Sequence, residues 1–170
     1  MDLKAYIRDV PDFPKPGILF KDIMPLLGSP QAFARSIDDL CAHYAGVGID
    51  ALAAAEARGF LFAAPMAIQM KKPLVPLRKP GKLPGATCSF KYDLEYGSAE
   101  LHVHADAIAP GARVLLIDDV LATGGTMGAA CKLVEQVGGV VVGCAFLIEL
   151  SFLNGRAPLA GRDVFSLLTY

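Results

Sequence analysis

The 170-residue chain has no tryptophan, only three histidines and four cysteines, and no two cysteines in C-x-x-C spacing. Cys41, Cys88, Cys131 and Cys144 lie too far apart for a disulfide framework or a zinc ribbon, so reduced thiols in a cytoplasmic protein are expected. Neither sign of charge is in excess: 16 basic residues stand against 17 acidic ones, a net charge of −1. That balance gives no electrostatic reason to hold nucleic acid or an acidic membrane, and neither is expected as a partner. Long apolar runs are missing as well. The most apolar window, residues 51–70, is interrupted by Glu56, Arg58, Gly59 and Pro65, which argues against a membrane span. The opening MDLKAYIRDVPDFPKPG lacks the apolar stretch of a signal peptide. No internal repeat or low-complexity linker divides the chain, so residues 1–170 are read as one domain.

What the chain does have is apolar residue in quantity, with a mean hydropathy of +0.44. Such a value predicts strands buried on both faces and an apolar surface committed to a subunit interface. SPQAFARSIDDLCAHYAG reads as a helix: Ser29 can cap it, Pro30 suits its first turn, and Phe33, Ile37, Leu40, Cys41 and Tyr44 share a face. DALAAA (50–55) reads as a strand, followed by a helix from about Phe60 to Met70, bent or restarted at Pro65. PLVPLRK is a second strand. The stretch 80–105 then mixes turn residues with β-formers and ends in the alternating SAELHVHADA, which predicts a hairpin or flap. RVLLID is a third strand, TMGAACKLVEQVGG a helix stopping at Gly138–Gly139, VVVGCAFLIEL a buried strand and DVFSLLTY the last one. Strands alternating with helices imply an α/β fold with a mostly parallel central sheet, whose ligands bind beyond the carboxyl ends of the strands.

One such end carries VLLIDDVLATGGT (114–126), two adjacent acids followed by a Gly-rich turn before a helix. The backbone N–H groups of Ala122, Thr123, Gly124, Gly125 and Thr126, with two threonine hydroxyls and the helix N-terminus, can hold a phosphate without a lysine. The spacing matches neither a P-loop nor a dinucleotide fingerprint. Asp118 and Asp119, at the edge of an apolar strand, need donors, which vicinal sugar hydroxyls supply; a carboxylate there also favours positive charge developing at an anomeric carbon. A ribose 5-phosphate satisfies both halves of the stretch.

The same stretch resembles the phosphoribosyl pyrophosphate (PRPP) motif of the type I phosphoribosyltransferases. FPKPGILFKDI (13–23), EARGFLF (56–62), RKPGKLPG (78–85), YDLEYG (92–97), LIEL and LNGR are similar, in that order, to segments of the adenine phosphoribosyltransferases over nearly the whole chain. The resemblance implies purine salvage: transfer of the 5-phosphoribosyl group from PRPP to adenine, giving AMP and pyrophosphate with Mg²⁺ carried by PRPP rather than by direct protein ligands. It also implies a small N-terminal hood (about 1–30), a mobile β flap (about 80–105) and a homodimer. Arg58 is then a catalytic cation and pyrophosphate ligand, joined by Glu56, Ala57, Arg78, Lys79 and Lys82, with a cis peptide between Glu56 and Ala57. Leu19 and Lys21 read the adenine edge through their backbones, and Phe20 stacks on the base. Glu95 is the acid/base candidate near N7, beside Tyr96 and Gly97 of the flap, while Asp118 and Asp119 complete the catalytic set. Ala54 departs from the family, where a glycine is common, and its methyl is expected to tighten or shift the pyrophosphate loop.

Two other readings stay open at this stage: the same chemistry on another purine base, and a PRPP-sensing regulator without catalysis. A metal site at His102, His104 and Glu100 lacks a further ligand, so that stretch reads as a solvent-facing strand surface.

Overall fold

The structure, a computed structural model, describes residues 1–93 and 97–170. Its centre is a five-stranded parallel sheet built from β3 (Ala51–Ala55), β4 (Leu74–Leu77), β7 (Arg113–Leu121), β8 (Val140–Glu149) and β9 (Val164–Thr169), in the order β4-β3-β7-β8-β9. The chain leaves β3 for β4 on one side and returns to β7 on the other. The strand order therefore reverses between β3 and β7, which makes the carboxyl ends of those two strands the switch point of an open α/β sheet.

Period-two alternation explains how the sheet is buried on both faces. In β7, Leu115 and Ile117 enter a core layer with Leu40, Phe62 and Met66, while Val114 and Leu116 enter the opposite layer with Leu133, Val134 and Phe146. Helices α2 (Pro30–His43) and α3 (Gly59–Met70) contribute to the first layer, and α4 (Gly125–Gln136) to the second. Ser29 caps α2 by accepting from the Ala32 N–H (3.3 Å), and Pro30 occupies the first turn, as the sequence predicts.

Three differences from the sequence reading have clear causes. Helix α3 is not restarted at Pro65 but runs as one element to Met70, since the proline removes a single ladder bond while Phe62, Ala63, Met66 and Ala67 around it are packed into the core, and Lys71 closes it in the left-handed conformation. Strand β7 does not stop at the first acid but continues to Leu121, since Val120 and Leu121 pair with Ile148 and Glu149 of β8. Ala54 is fully buried in the layer with Phe62 and Ile117, and its methyl points toward Gly59 at the start of α3, so the extra carbon fills core rather than the pyrophosphate loop.

Outside the sheet, β1 (Arg8–Pro11) and β2 (Leu19–Asp22) pair as an antiparallel ribbon, followed by the single turn α1 (Met24–Leu27). β5 (Thr87–Asp93) and β6 (Ser98–His104) form a second ribbon over the α4 face. Its base is tied to the sheet edge by two backbone bonds, Arg78 N–H to the His102 carbonyl (2.9 Å) and His102 N–H to the Arg78 carbonyl (2.7 Å). This pairing leaves Glu100, His102 and His104 half-buried rather than facing open solvent. Among the described residues, no helix is long and apolar enough to cross a membrane.

Candidate active site

A cavity of about 420 Å³ lies at the switch point, lined by Glu56, Ala57 and Arg58 from the end of β3, the run 118–127 from β7 into α4, and Phe146 beneath. Each wall follows from local sequence. Gly59 begins α3 directly against β7: a Cβ there would stand 2.9 Å from the Ile117 carbonyl and 3.0 Å from Asp118 Oδ1, so only glycine lets the helix start this close to the acids. Gly124 caps α4 with φ of +82°, turning the chain so that the first helical N–H groups, which have no partner within the helix, open onto the cavity.

The acid pair is divided by its surroundings. Arg58 Nε meets Asp119 Oδ2 at 2.5 Å, and Asp119 is only 4% exposed. Asp118 Oδ1 accepts the Asp119 N–H at 2.9 Å. Burial, and after it the charge of Asp119, pushes the Asp118 carboxyl well above the usual carboxylate range. The site thus holds one carboxyl biased toward its protonated form beside one carboxylate clamped by a cation. With Nε on Asp119, the Arg58 guanidinium keeps its Nη donors, on a side chain 46% exposed, for an incoming anion.

Other expected site residues fall around this centre. Phe20 in β2 is half-exposed rather than core. It packs edge-on against Phe13 (centroids 5.1 Å apart) and lies 5.8 Å from the Arg58 guanidinium carbon. Leu19 is largely exposed beside it, and the Lys21 side chain turns away to Asp9 (2.6 Å) and the Tyr170 ring (4.1 Å), so only its backbone is available on the other side. The Glu56–Ala57 peptide is cis. The Glu56 carboxylate accepts from Arg78 Nε (2.6 Å) and the Lys79 N–H (3.0 Å), which lowers its pKa, the Lys79 amide acting most strongly. Arg78 is therefore held by Glu56 rather than presented to the cavity. Lys79 lines a second cavity of about 640 Å³ under the β5–β6 ribbon, and Lys82 is exposed and lines neither. Gly97 opens β6's side of that ribbon, whereas Glu95 and Tyr96 lie outside the described residues.

The LNGR segment supplies a support that motif reading left without a role. A Cβ on Gly124 would overlap the Gly155 carbonyl oxygen, and a Cβ on Gly155 would overlap the Ala122 carbonyl oxygen. Arg156 anchors this second loop by donating Nε to Glu149 Oε1 and Nη2 to Glu149 Oε2, both at 2.7 Å, at the end of β8. The spacing of Glu149 and Arg156, opposite charges on either side of an Asn-Gly turn, signals their ion pair but not the turn that the loop supports.

Residues 27–158 match the phosphoribosyl transferase domain family. The chain is 56% identical to the adenine phosphoribosyltransferase of Chloroflexus aurantiacus over 169 residues, covering 99% of this chain and 98% of that one. The chain belongs to the adenine phosphoribosyltransferases. Among solved family members, that of Thermoanaerobacter pseudethanolicus superposes with a TM-score of 0.97 at 51% identity, covering 99% of this chain and 98% of that one. The family member from Saccharomyces cerevisiae, solved complexed with an imino-altritol 1,6-bisphosphate and adenine, gives a TM-score of 0.92 at 39% identity, covering 98% and 97%. The parallel sheet, hood ribbon and flap ribbon described above are the fold of this family.

Proposed function

We infer that this chain salvages adenine: it transfers the 5-phosphoribosyl group of PRPP to adenine N9, releasing pyrophosphate and forming AMP. The observation that carries the reading is the single cavity bounded by the 122–126 turn, the Asp118–Asp119 pair and Arg58. A 5-phosphate fits the turn at the α4 N-terminus, where the backbone donors and the helix dipole favour an anion. The ribose hydroxyls then reach the acids. As the bond from the anomeric carbon to pyrophosphate oxygen breaks, the electron pair leaves with pyrophosphate and positive charge grows on the ribose, where the Asp119 carboxylate opposes it. Arg58 meets the departing charge, with the Glu56–Ala57 backbone, Lys79 and, by rearrangement or from a partner subunit, Arg78 and Lys82 as further contacts.

Phe20 offers a ring face to the base, and the backbones of Leu19 and Lys21 its reading edge. Donors and acceptors set for a 6-amino group reject a 6-oxo group, because a mismatched base leaves buried polar groups unpaired. Glu95 is proposed to manage the purine proton at N7 as N9 attacks.

Among the described residues, no three His, Cys, Asp or Glu side chains converge on a metal position. Both acids of the pair are already engaged, Asp119 by Arg58 and Asp118 by an amide, which suits a Mg²⁺ that would come with PRPP and take its ligands from phosphate and water rather than directly from the protein. Bound in that way, such an ion would supply charge neutralisation for the leaving pyrophosphate. A homodimer is supported by apolar side chains left outward on α3, Leu61 and Ile68 (79% exposed), and by Phe152. Free thiols at Cys41, Cys88, Cys131 and Cys144 support a cytoplasmic setting.

The test is a panel of bases with PRPP and Mg²⁺. AMP from adenine, with hypoxanthine and guanine inert, is expected; turnover of a 6-oxopurine without adenine would overturn the assignment.

A further inference from the structure

Tyr92 in β5 places its hydroxyl 3.3 Å from Thr126 Oγ1, a side-chain contact that joins the flap ribbon to the phosphate turn. We propose that Tyr92 is a positioning residue that ties the flap to an occupied phosphate turn through the Thr126 hydroxyl. The inference rests on the reading of residues 122–126 as the 5-phosphate site.

Thr126 lines both cavities, and Tyr92 lines the second, so the pair stands at the partition between them. A threonine hydroxyl has a single proton. Without a phosphate, that proton can go to Tyr92 or the reverse. Once a phosphate sits in the turn, Thr126 donates to it and its oxygen can serve Tyr92 only as acceptor. The hydrogen bonds then run in one direction, Tyr92 O–H to Thr126 O–H to phosphate, and each polarises the next.

The ribbon is built to carry that bias. β5 and β6 pair without a register break from Thr87↔His104 to Asp93↔Ser98, and the ribbon is already fixed at its base by the paired Arg78 and His102 backbones. Tyr92 pairs with Ala99 near the far end, the end that the base does not hold. Phosphate binding and docking of this end are therefore linked, and linkage is reciprocal: what favours the docked ribbon favours PRPP.

The experiment compares Tyr92→Phe, Thr126→Val, Thr126→Ser and the Tyr92→Phe/Thr126→Val double variant by steady-state kinetics. Amide hydrogen exchange of residues 87–104 is followed with and without AMP. Tyr92→Phe keeps the ring and loses only the hydroxyl. It is expected to raise the KM for PRPP roughly 3- to 10-fold, the size of one net hydrogen bond, with the KM for adenine unchanged. AMP should protect the ribbon in the unmodified protein and in Thr126→Ser, but less in Tyr92→Phe at equal saturation. The double variant should be no worse than Thr126→Val alone. Unchanged PRPP KM and protection in Tyr92→Phe, with Thr126→Val impaired, would overturn the tie and leave the phosphate turn standing. Thr126→Val with unaltered PRPP KM would overturn both.

Discussion

Gly124 and Gly155 touch backbone to backbone, one from the phosphate turn and the other from the loop after β8, with no room for a side-chain carbon on either. The turn is therefore shaped from behind by a segment that never reaches the cavity, since Gly155 is not among its lining residues. Gly155→Ala is expected to push the Ala122 carbonyl out of place. Overpacking of this kind costs about 1–3 kcal/mol, so the KM for PRPP should rise by roughly tenfold or more while adenine binding changes little. Isothermal titration with AMP and with adenine separately checks the split.

The Glu149–Arg156 pair sets an acid limit on the same support. Arg156 bonding, foremost, holds the Glu149 carboxyl below its ordinary value of 4.5. A carboxylate depressed by folding stabilises the fold above its unfolded pKa, and that contribution disappears as pH falls through the lower folded value. Arg156→Gln should therefore lower the melting temperature at neutral pH, with the difference shrinking as pH falls under 4.5 and gone once it is below the depressed value. The half-exposed arginine keeps the effect to about 1 kcal/mol.

Asp118 behaves in the opposite sense. Its raised pKa means that the free site retains a proton above the ordinary value of 3.8, and that ionising it costs stability as pH rises. The ribose hydroxyls proposed to donate to this carboxyl favour its ionised form. Binding should thus release protons as pH rises towards the raised pKa of the free site, tightening over that range, with no release well above it. Titration in buffers of different ionisation enthalpy measures this, and Asp118→Asn should abolish the release.

Asp119→Asn removes the carboxylate proposed to oppose the ribose cation and frees Arg58 from its 2.5 Å contact. Loss of one such preorganised group is expected to lower single-turnover rates by roughly 10²-fold. Retention of PRPP binding within a few fold would show that the carboxylate acts on the chemical step.

Much of this arrangement was readable from local pattern. The acid pair, the Gly-rich turn and Arg58 are each near a strand end, so placing the strands placed them. The near-continuous apolar run of β7 likewise announced a doubly covered sheet. What could not be read were contacts between elements distant in the chain. Gly155 and Arg156 carry no local sign of lying behind Gly124, Tyr92 looks like any flap aromatic until α4 is set against it, and Phe146 is an ordinary strand residue until it floors the cavity. Arg78 is expected to meet pyrophosphate across a dimer interface, and within the single chain it is held by Glu56, 22 positions earlier. Such pairings depend on tertiary closure, and no period in the sequence encodes them.

The reversal of strand order at β3 and β7 also bears on how the protein is born. Ala51 pairs with Val114, about 60 residues further along, while the whole β5–β6 ribbon is looped out of the sheet between them. A parallel contact of that span must bear its closure entropy before packing rewards it, which makes it slow to form. The two halves of the cavity, Arg58 just beyond β3 and Asp119 in β7, meet only when that step is done. Regain of catalytic turnover during refolding is therefore a clock for the long-range closure itself, and it should lag behind the recovery of helical circular dichroism.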